Sequence, residues 1–268
     1  MASPDRPLAG WNTAARRASG LRAVRPAING WVHSTETGGA VDGPGIRYVL
    51  FLAGCLMRCR YCHNPDSWHM HHGRPTTSRE VLDDIAAYAK FLIHAKGGVT
   101  LSGGEPLVQP DFTHAILRGA KDMGLHTALD TAGYLGLHAD DFLLADVDLV
   151  LLDIKAFSEK TYHGLTGVAL KPTLDFAERL AGMGKPVWLR YVLVPGLTDK
   201  MREIAGLADF AARLGNVERV DVLPFHKLGE FKWAAEGLAY TLADTQPPTP
   251  ELLERVRTVF RDRGLTTA

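Results

Sequence analysis

From Ile28 onward the chain alternates between two spacings of apolar residues. Short aliphatic and β-branched runs at 47–52, 98–101, 126–130, 149–154, 187–194 and 220–223 predict β-strands. Between them, apolar residues recur every three or four positions, which predicts helices over 78–94, 111–123, 138–145, 174–183, 199–214 and 250–263. The first helix carries Ser78 as its cap with Glu80 close behind, and places Val81, Leu82, Ile85 and Tyr88 on one face. The unbroken apolar run between Asp148 and Asp153 suits a strand covered on both faces. Strands that alternate with helices imply parallel β-α units. The expected fold class is therefore α/β, best fitted by a partial (β/α)6 TIM-like barrel. A flat doubly wound sheet is the alternative.

Residues 1–27 stand apart. They hold five arginines, many small residues and Asp5 as their only acid. We expect a disordered N-terminal extension there and one domain over 28–268. The whole chain has 268 residues, 46% of them apolar and 22% charged, which is ordinary for a soluble globular protein. Lysine plus arginine and aspartate plus glutamate each number 30, so there is no basic footprint for nucleic acid. No apolar run approaches the roughly 20 residues that span a bilayer, and the N-terminus has no apolar signal core. The expectation is a cytoplasmic protein with no membrane or nucleic-acid partner, acting as a monomer.

The chemistry concentrates at the predicted strand ends, where barrel enzymes build their sites. The first strand runs into GCLMRCRYC, the second into SGGEP, the third into DTAG and the fourth into DIK. The fifth carries Arg190 and ends in VPG, and the sixth ends in LPFH. Polar tips on successive strands can converge on one cavity. All three cysteines, Cys55, Cys59 and Cys62, lie on the first of these loops. An odd number packed this tightly argues against disulfides and for a metal or cluster in a reducing compartment. Thiolates bind iron–sulfur clusters and zinc. A cubane cluster has four irons, so three cysteines leave one iron open to a small molecule. Structural zinc takes four ligands, and His63, adjacent to Cys62, is poorly placed to be the fourth. An iron–sulfur electron carrier is a further alternative, although carriers normally give every iron a protein ligand.

The Cys-x3-Cys-x2-Cys spacing, with Tyr61 before the last cysteine and His63-Asn64 after it, resembles the radical S-adenosylmethionine superfamily. Further segments narrow the likeness. These are Val41-Asp-Gly-Pro-Gly-Ile-Arg47, Gly54 to Asn64, Ser102-Gly-Gly-Glu-Pro106, Leu129-Asp-Thr-Ala-Gly133 and Leu149-Val-Leu-Leu-Asp-Ile-Lys155. Trp188-Leu-Arg-Tyr191 with Val194-Pro-Gly196, and Leu223-Pro-Phe-His226 with Leu228-Gly229, follow in order. Together they resemble the glycyl-radical activating enzymes of the pyruvate formate-lyase type, from about Ile28 to the C-terminus. There is no further cysteine cluster, and so none of the ferredoxin-like insert of some relatives.

The resemblance implies an oxidoreductase of anaerobic metabolism. It would cleave S-adenosylmethionine reductively to methionine and a 5′-deoxyadenosyl radical, which takes a hydrogen atom from a glycine of pyruvate formate-lyase. A flavodoxin or ferredoxin would supply the electron. A [4Fe-4S] cluster would sit on Cys55, Cys59 and Cys62. Gly103, Gly104 and Glu105 would hold the cofactor amine. Tyr61 and His63 would line its adenine, and His226 would contact the adenosine part. Ile154 and Lys155 would add cofactor contacts, with Lys155 near Asp153. Asp130 and Asp153 would surround a monovalent cation beside the cofactor carboxylate, and Arg190 would orient an acidic residue of the cavity. Asp42, in the Asp42-Gly43-Pro44-Gly45 turn, would help bind the glycine-bearing peptide. An activase of a different glycyl-radical enzyme is the neighbouring alternative. Ala132 departs from the family, which usually has Asn there. The His69-Met70-His71-His72 stretch reads as a solvated loop.

Overall fold

Strand order decides between the barrel and the flat sheet. The computed structural model describes residues 26–268, so the expected N-terminal extension lies outside the described residues except for the exposed Pro26 and Ala27. Its strands are β1 (Asn29–Gly39), β2 (Arg47–Leu52), β3 (Arg74–Thr77), β4 (Gly98–Gly103), β5 (His126–Thr131), β6 (Leu149–Asp153), β7 (Val187–Leu193) and β8 (Val217–Pro224). Its helices are α1 (Ser78–His94), α2 (Pro110–Asp122), α3 (Asp141–Ala145), α4 (Glu159–Thr166), α5 (Lys171–Gly182), α6 (Met201–Leu214), α7 (Glu230–Ala235) and α8 (Pro250–Arg261). The sheet runs β3-β1-β2-β4-β5-β6-β7-β8. The six strands from β2 to β8 are parallel neighbours in chain order.

Each parallel crossover steps the same way along the sheet. Right-handed crossovers then put every connecting helix on one face. A doubly wound sheet needs a reversal of strand order, and there is none. The sheet therefore curls with helices outside, and β3 and β8 remain as its two edges. This is the expected partial barrel.

The six predicted strands are all present. Two more, β1 and β3, extend the sheet in antiparallel fashion. Their sequences hide them: β1 is mostly polar and half exposed, and β3 is four residues long with a proline. Proline is tolerated there because an edge strand needs no donor on its outer side. The short helices α4 and α7 also lacked a long enough apolar period to be foreseen.

Helix α1 corrects one detail of the reading. Its cap is Thr77, whose side chain accepts from Glu80 N while Glu80 accepts from Thr77 N. Ser78 is buried, and its hydroxyl accepts from Ile28 N at 3.0 Å. On the packed face of α1, Val81 and Ile85 are buried and Leu82 and Tyr88 are partly buried against the core, as expected, and Leu92 is buried as well. Along β7 the side chains alternate strictly. Leu189, Tyr191 and Leu193 are buried, while Arg190 and Val192 turn into a cavity inside the barrel. The fold thus turns alternate side chains of β7 inward, and among them it delivers the charged Arg190 to the cavity.

Phe260 on α8 is fully buried, whereas Phe142 on α3 is 76% exposed. Phe260→Ala is expected to cost about 3–5 kcal/mol in urea denaturation, against less than about 0.5 kcal/mol for Phe142→Ala.

Candidate active site

The cysteine loop leaves the end of β2 and is fastened on three sides by hydrogen bonds. Gly54 N donates to Ser67 O at 2.7 Å and Cys55 N to Trp68 O at 3.0 Å, which closes the loop on its own return segment. Gly104 N donates to Leu52 O at 2.8 Å and Glu105 N to Gly54 O at 2.9 Å, which docks the tip of β4 against it. Arg58 N and Arg60 N donate to Thr166 O and Leu165 O at the end of α4. From above, Trp233 Nε1 on α7 donates to Cys62 O at 2.8 Å. The two glycines of the SGGE segment answer to this docking. A Cβ on Gly104 would stand 2.4 Å from Gly54 O, and Gly103 has φ +112 with a Cβ position 2.3 Å from Leu52 N.

Cys55, Cys59 and Cys62 are free, half-buried and all on the wall of one cavity of about 450 Å³. Burial pushes the Cys55 thiol up to about 12 and raises Cys59 and Cys62 as well. Without a metal these thiols stay protonated, so loading must release protons. Among the described residues no three His, Cys, Asp or Glu groups close on one point as a single metal ion requires. The three thiols share one cavity wall, as the ligands of a single cluster must.

Most of the expected site residues share that cavity. Tyr61, His63, Gly103, Gly104, Asp130, Asp153, Lys155, Arg190, His226 and Asp42 all line it. Arg190 Nη1 lies 3.1 Å from Asp130 Oδ2, which also accepts from Ser102 Oγ at 2.6 Å. The Asp130 carboxylate raises the Arg190 guanidinium above its usual value despite burial. Lys155 Nζ sits 3.1 Å from Asp153 Oδ2 and 5.9 Å from the centre of the Tyr61 ring. Burial disfavours the ammonium, but Asp153, Tyr61 and Cys59 together outweigh it and hold Lys155 well above the ordinary lysine value. The His63 and His226 rings lie against each other at a 36° tilt, with centroids 4.2 Å apart. His63 Nε2 is 3.0 Å from His226 O, and since a carbonyl only accepts, that nitrogen carries the proton. Burial lowers the His63 pKa.

Two expected residues are elsewhere. Ile154 is fully buried in the core, and its N–H donates to Arg190 O at 3.2 Å. Glu105 lies behind the glycines, off the cavity wall. Its carboxylate accepts from Thr131 Oγ1 at 2.7 Å, Ala132 N at 3.0 Å and Leu107 N at 3.1 Å. It ties the tip of β4 to the tip of β5. The His69–His72 stretch is largely exposed, with His72 3.5 Å from Glu236, in keeping with a loop.

Ser102, Thr131, Met57 and Trp68 also line the cavity but were not foreseen. Ser102 had a signal, since it sits at the inward end of β4 just before the glycines. Met57 and Trp68 are apolar and announce no chemistry in sequence.

Four buried polar atoms at this cavity have no partner: Asp130 Oδ1, Arg190 Nε, Tyr61 Oη and His226 Nδ1. Each such atom costs about 1–3 kcal/mol. A cluster of them marks a place built around a polar ligand.

Residues 49–208 match the family model of the radical SAM superfamily. The pyruvate formate-lyase 1-activating enzyme of Escherichia coli strain K12 is 42% identical over 240 residues, covering 89% of this chain and 98% of its own. The pyruvate formate-lyase-activating enzyme of Streptococcus mutans is 43% identical over 86% of this chain and 90% of its own. This chain belongs to the pyruvate formate-lyase activating enzyme family. Among solved structures, a domain of such an activating enzyme from Bacteroides vulgatus covers 64% of this radical SAM chain at 26% identity and TM-score 0.54, with 98% of that domain covered. Streptococcus suis SuiB, solved with its precursor peptide SuiA, shares the fold at TM-score 0.63 and 18% identity over 85% of this chain and 49% of its own. The radical SAM family works with a four-iron cluster and S-adenosylmethionine, and the three thiols and the orphaned polar atoms fit both.

Burial pushes the Glu105 carboxyl up from 4.5 to about 7. Folding thus favours its protonated form, so this contribution is full below pH 4.5 and is lost as pH rises through about 7. Urea denaturation of the metal-free protein should show stability falling over that window, with a shallower fall in Glu105→Gln.

Proposed function

We propose that this chain activates a pyruvate formate-lyase by placing a radical on one of that protein's glycines. The supporting observation is a three-thiol loop on the rim of a cavity lined with unpartnered polar groups, in a chain 42% identical to the activating enzyme of E. coli over 89% of its length. When bound, the cluster and S-adenosylmethionine would supply the chemistry, a one-electron reductive cleavage able to remove a hydrogen atom from the glycine.

The residues of this chain bind, orient and shield. Cys55, Cys59 and Cys62 would hold the cluster through three thiolates, one fewer than its four irons, so that the cofactor's amine and carboxylate could bind beside them. The main chain of Gly103 and Gly104 faces the amine, while Glu105 keeps those glycines in register with β5. Tyr61 Oη and His226 Nδ1, both unpartnered, would be polar handles for the adenosine part. Lys155 and Asp153 meet the charged and hydroxyl groups of the cofactor. Asp130 Oδ1, free of partners, and Asp153 would offer oxygens to a hard monovalent cation. Arg190 holds Asp130 in place through its 3.1 Å contact. Asp42 lines the cavity and is assigned to the incoming glycine-bearing loop. The open edge of the partial barrel gives that loop a way in.

The same reading assigns a flavodoxin or ferredoxin as electron donor, a monomeric state and a cytoplasmic setting, with no nucleic-acid or membrane partner. Free thiols that must stay reduced support the setting. No helix among the described residues is long and apolar enough to cross a membrane.

The test is anaerobic incubation of the iron-loaded, reduced protein with S-adenosylmethionine and pyruvate formate-lyase. Methionine, 5′-deoxyadenosine and a glycyl radical resonance are expected together. Cys59→Ala should lose iron and all three. A radical formed only on another glycyl-radical enzyme would reassign the target, and absence of any cofactor cleavage would leave an electron carrier.

A further inference from the structure

Arg47 is fully buried off the wall of the site cavity, and all its hydrogen bonds go to neutral groups. A charged side chain is seldom sealed in this way without a carboxylate bonded to it, and Asp148 and Asp42 act on this one only through space. Burial pulls its guanidinium down to about 10. Such a costly placement calls for a reason, and the hydrogen bonds supply one.

Two of them run to the Asp42–Gly45 turn. Nη1 donates to Pro44 O at 3.3 Å. Nε donates to Thr100 Oγ1 at 2.9 Å, and Thr100 Oγ1 donates to Asp42 O at 2.6 Å. A threonine hydroxyl has one proton. Because Nε–H occupies a lone pair of that oxygen, its proton is directed to the Asp42 carbonyl. The other arms anchor the guanidinium to neighbouring strands: Nη2 donates to Val99 O at 2.5 Å and His126 O at 3.3 Å. One planar fork therefore joins the turn to β2, β4 and β5. Lysine, a single point donor, cannot reproduce that pattern.

The turn is pressed onto this anchor. Gly45 has φ +67, and a Cβ there would lie 2.3 Å from Lys96 O; a Cβ on Gly43 would meet Arg47 Nε at 3.2 Å. What the turn presents to the cavity is the Asp42 side chain, next to the 73% exposed Val41.

We propose that Arg47, acting through Thr100, is a positioning residue that sets the Asp42 carboxylate for the main chain of the target's glycine loop. The idea rests on the function proposed above. A glycine offers no side chain, so the N–H groups of its own and neighbouring peptide units are what a carboxylate can hold.

The experiment measures, in the iron-loaded reduced enzyme, cofactor cleavage without target and the rate of glycyl radical formation against target concentration. Variants are Arg47→Lys and Thr100→Val; the second keeps the volume and removes only the bridging hydroxyl, so it decides the matter if the first folds poorly. Both should raise the KM for the target by about tenfold or more, with target-free cleavage within about twofold of wild type. Asp42→Asn should raise the same KM, and adding Thr100→Val to it should bring little further rise. An unchanged KM, or cleavage falling in step with radical formation, overturns the proposal while the function stands. A wild-type enzyme that puts no radical on the target overturns both.

Discussion

Three thiols meet at one rim because two loops are fastened main chain to main chain. Gly54 bonds to Ser67 and, through its carbonyl, to Glu105, while Gly104 bonds back to Leu52. A side chain at Gly103 or Gly104 would drive atoms to within 2.4 Å of that contact. These glycines were first read as room for a cofactor. The structure gives them an earlier duty, which is to let the β4 tip seat the cysteine loop. The cluster site and the cofactor-facing main chain are thus one packed unit, and neither can shift alone.

The electrostatics of the cavity follow from its position inside the barrel. Side chains on the inward face of parallel strands are removed from water, so charges there must come in pairs. Asp130 with Arg190 and Asp153 with Lys155 are such pairs, both at 3.1 Å. Pairing one oxygen of Asp130 leaves its other oxygen without a partner, and Arg190 Nε likewise. That residue of unmet polarity is unfavourable in the protein alone and becomes favourable when a charged ligand fills the space. Buried pairs are weak contributors to stability, so their placement here serves binding more than folding.

Much of this was legible in the sequence, for physical reasons. Parallel strands buried on both faces leave continuous apolar runs, and all six were readable. Strand β1 was not, because its residues pair at the open end of the barrel and stay largely polar. The cysteines and the strand-end aspartates were readable because few side chains supply soft thiolates or convergent carboxylates. Glu105 shows where that logic stops: a charged residue in a motif looks like a ligand contact, and only coordinates reveal that Thr131 Oγ1 and Ala132 N of the β5 tip and Leu107 N of its own segment donate to it. Ala132, where the family usually has Asn, works through its main chain, with its N–H on Glu105 and its carbonyl accepting from Thr173 Oγ1 at 2.9 Å. Its small side chain leaves that scaffold intact.

The central claim is that the bound cluster keeps one iron without a protein ligand. Low-temperature paramagnetic resonance of the reduced, iron-loaded protein addresses it directly. The account predicts a spectrum whose g-values move when S-adenosylmethionine is added, because the cofactor binds that iron. A spectrum indifferent to the cofactor, or a metal content of zinc without sulfide, would contradict it.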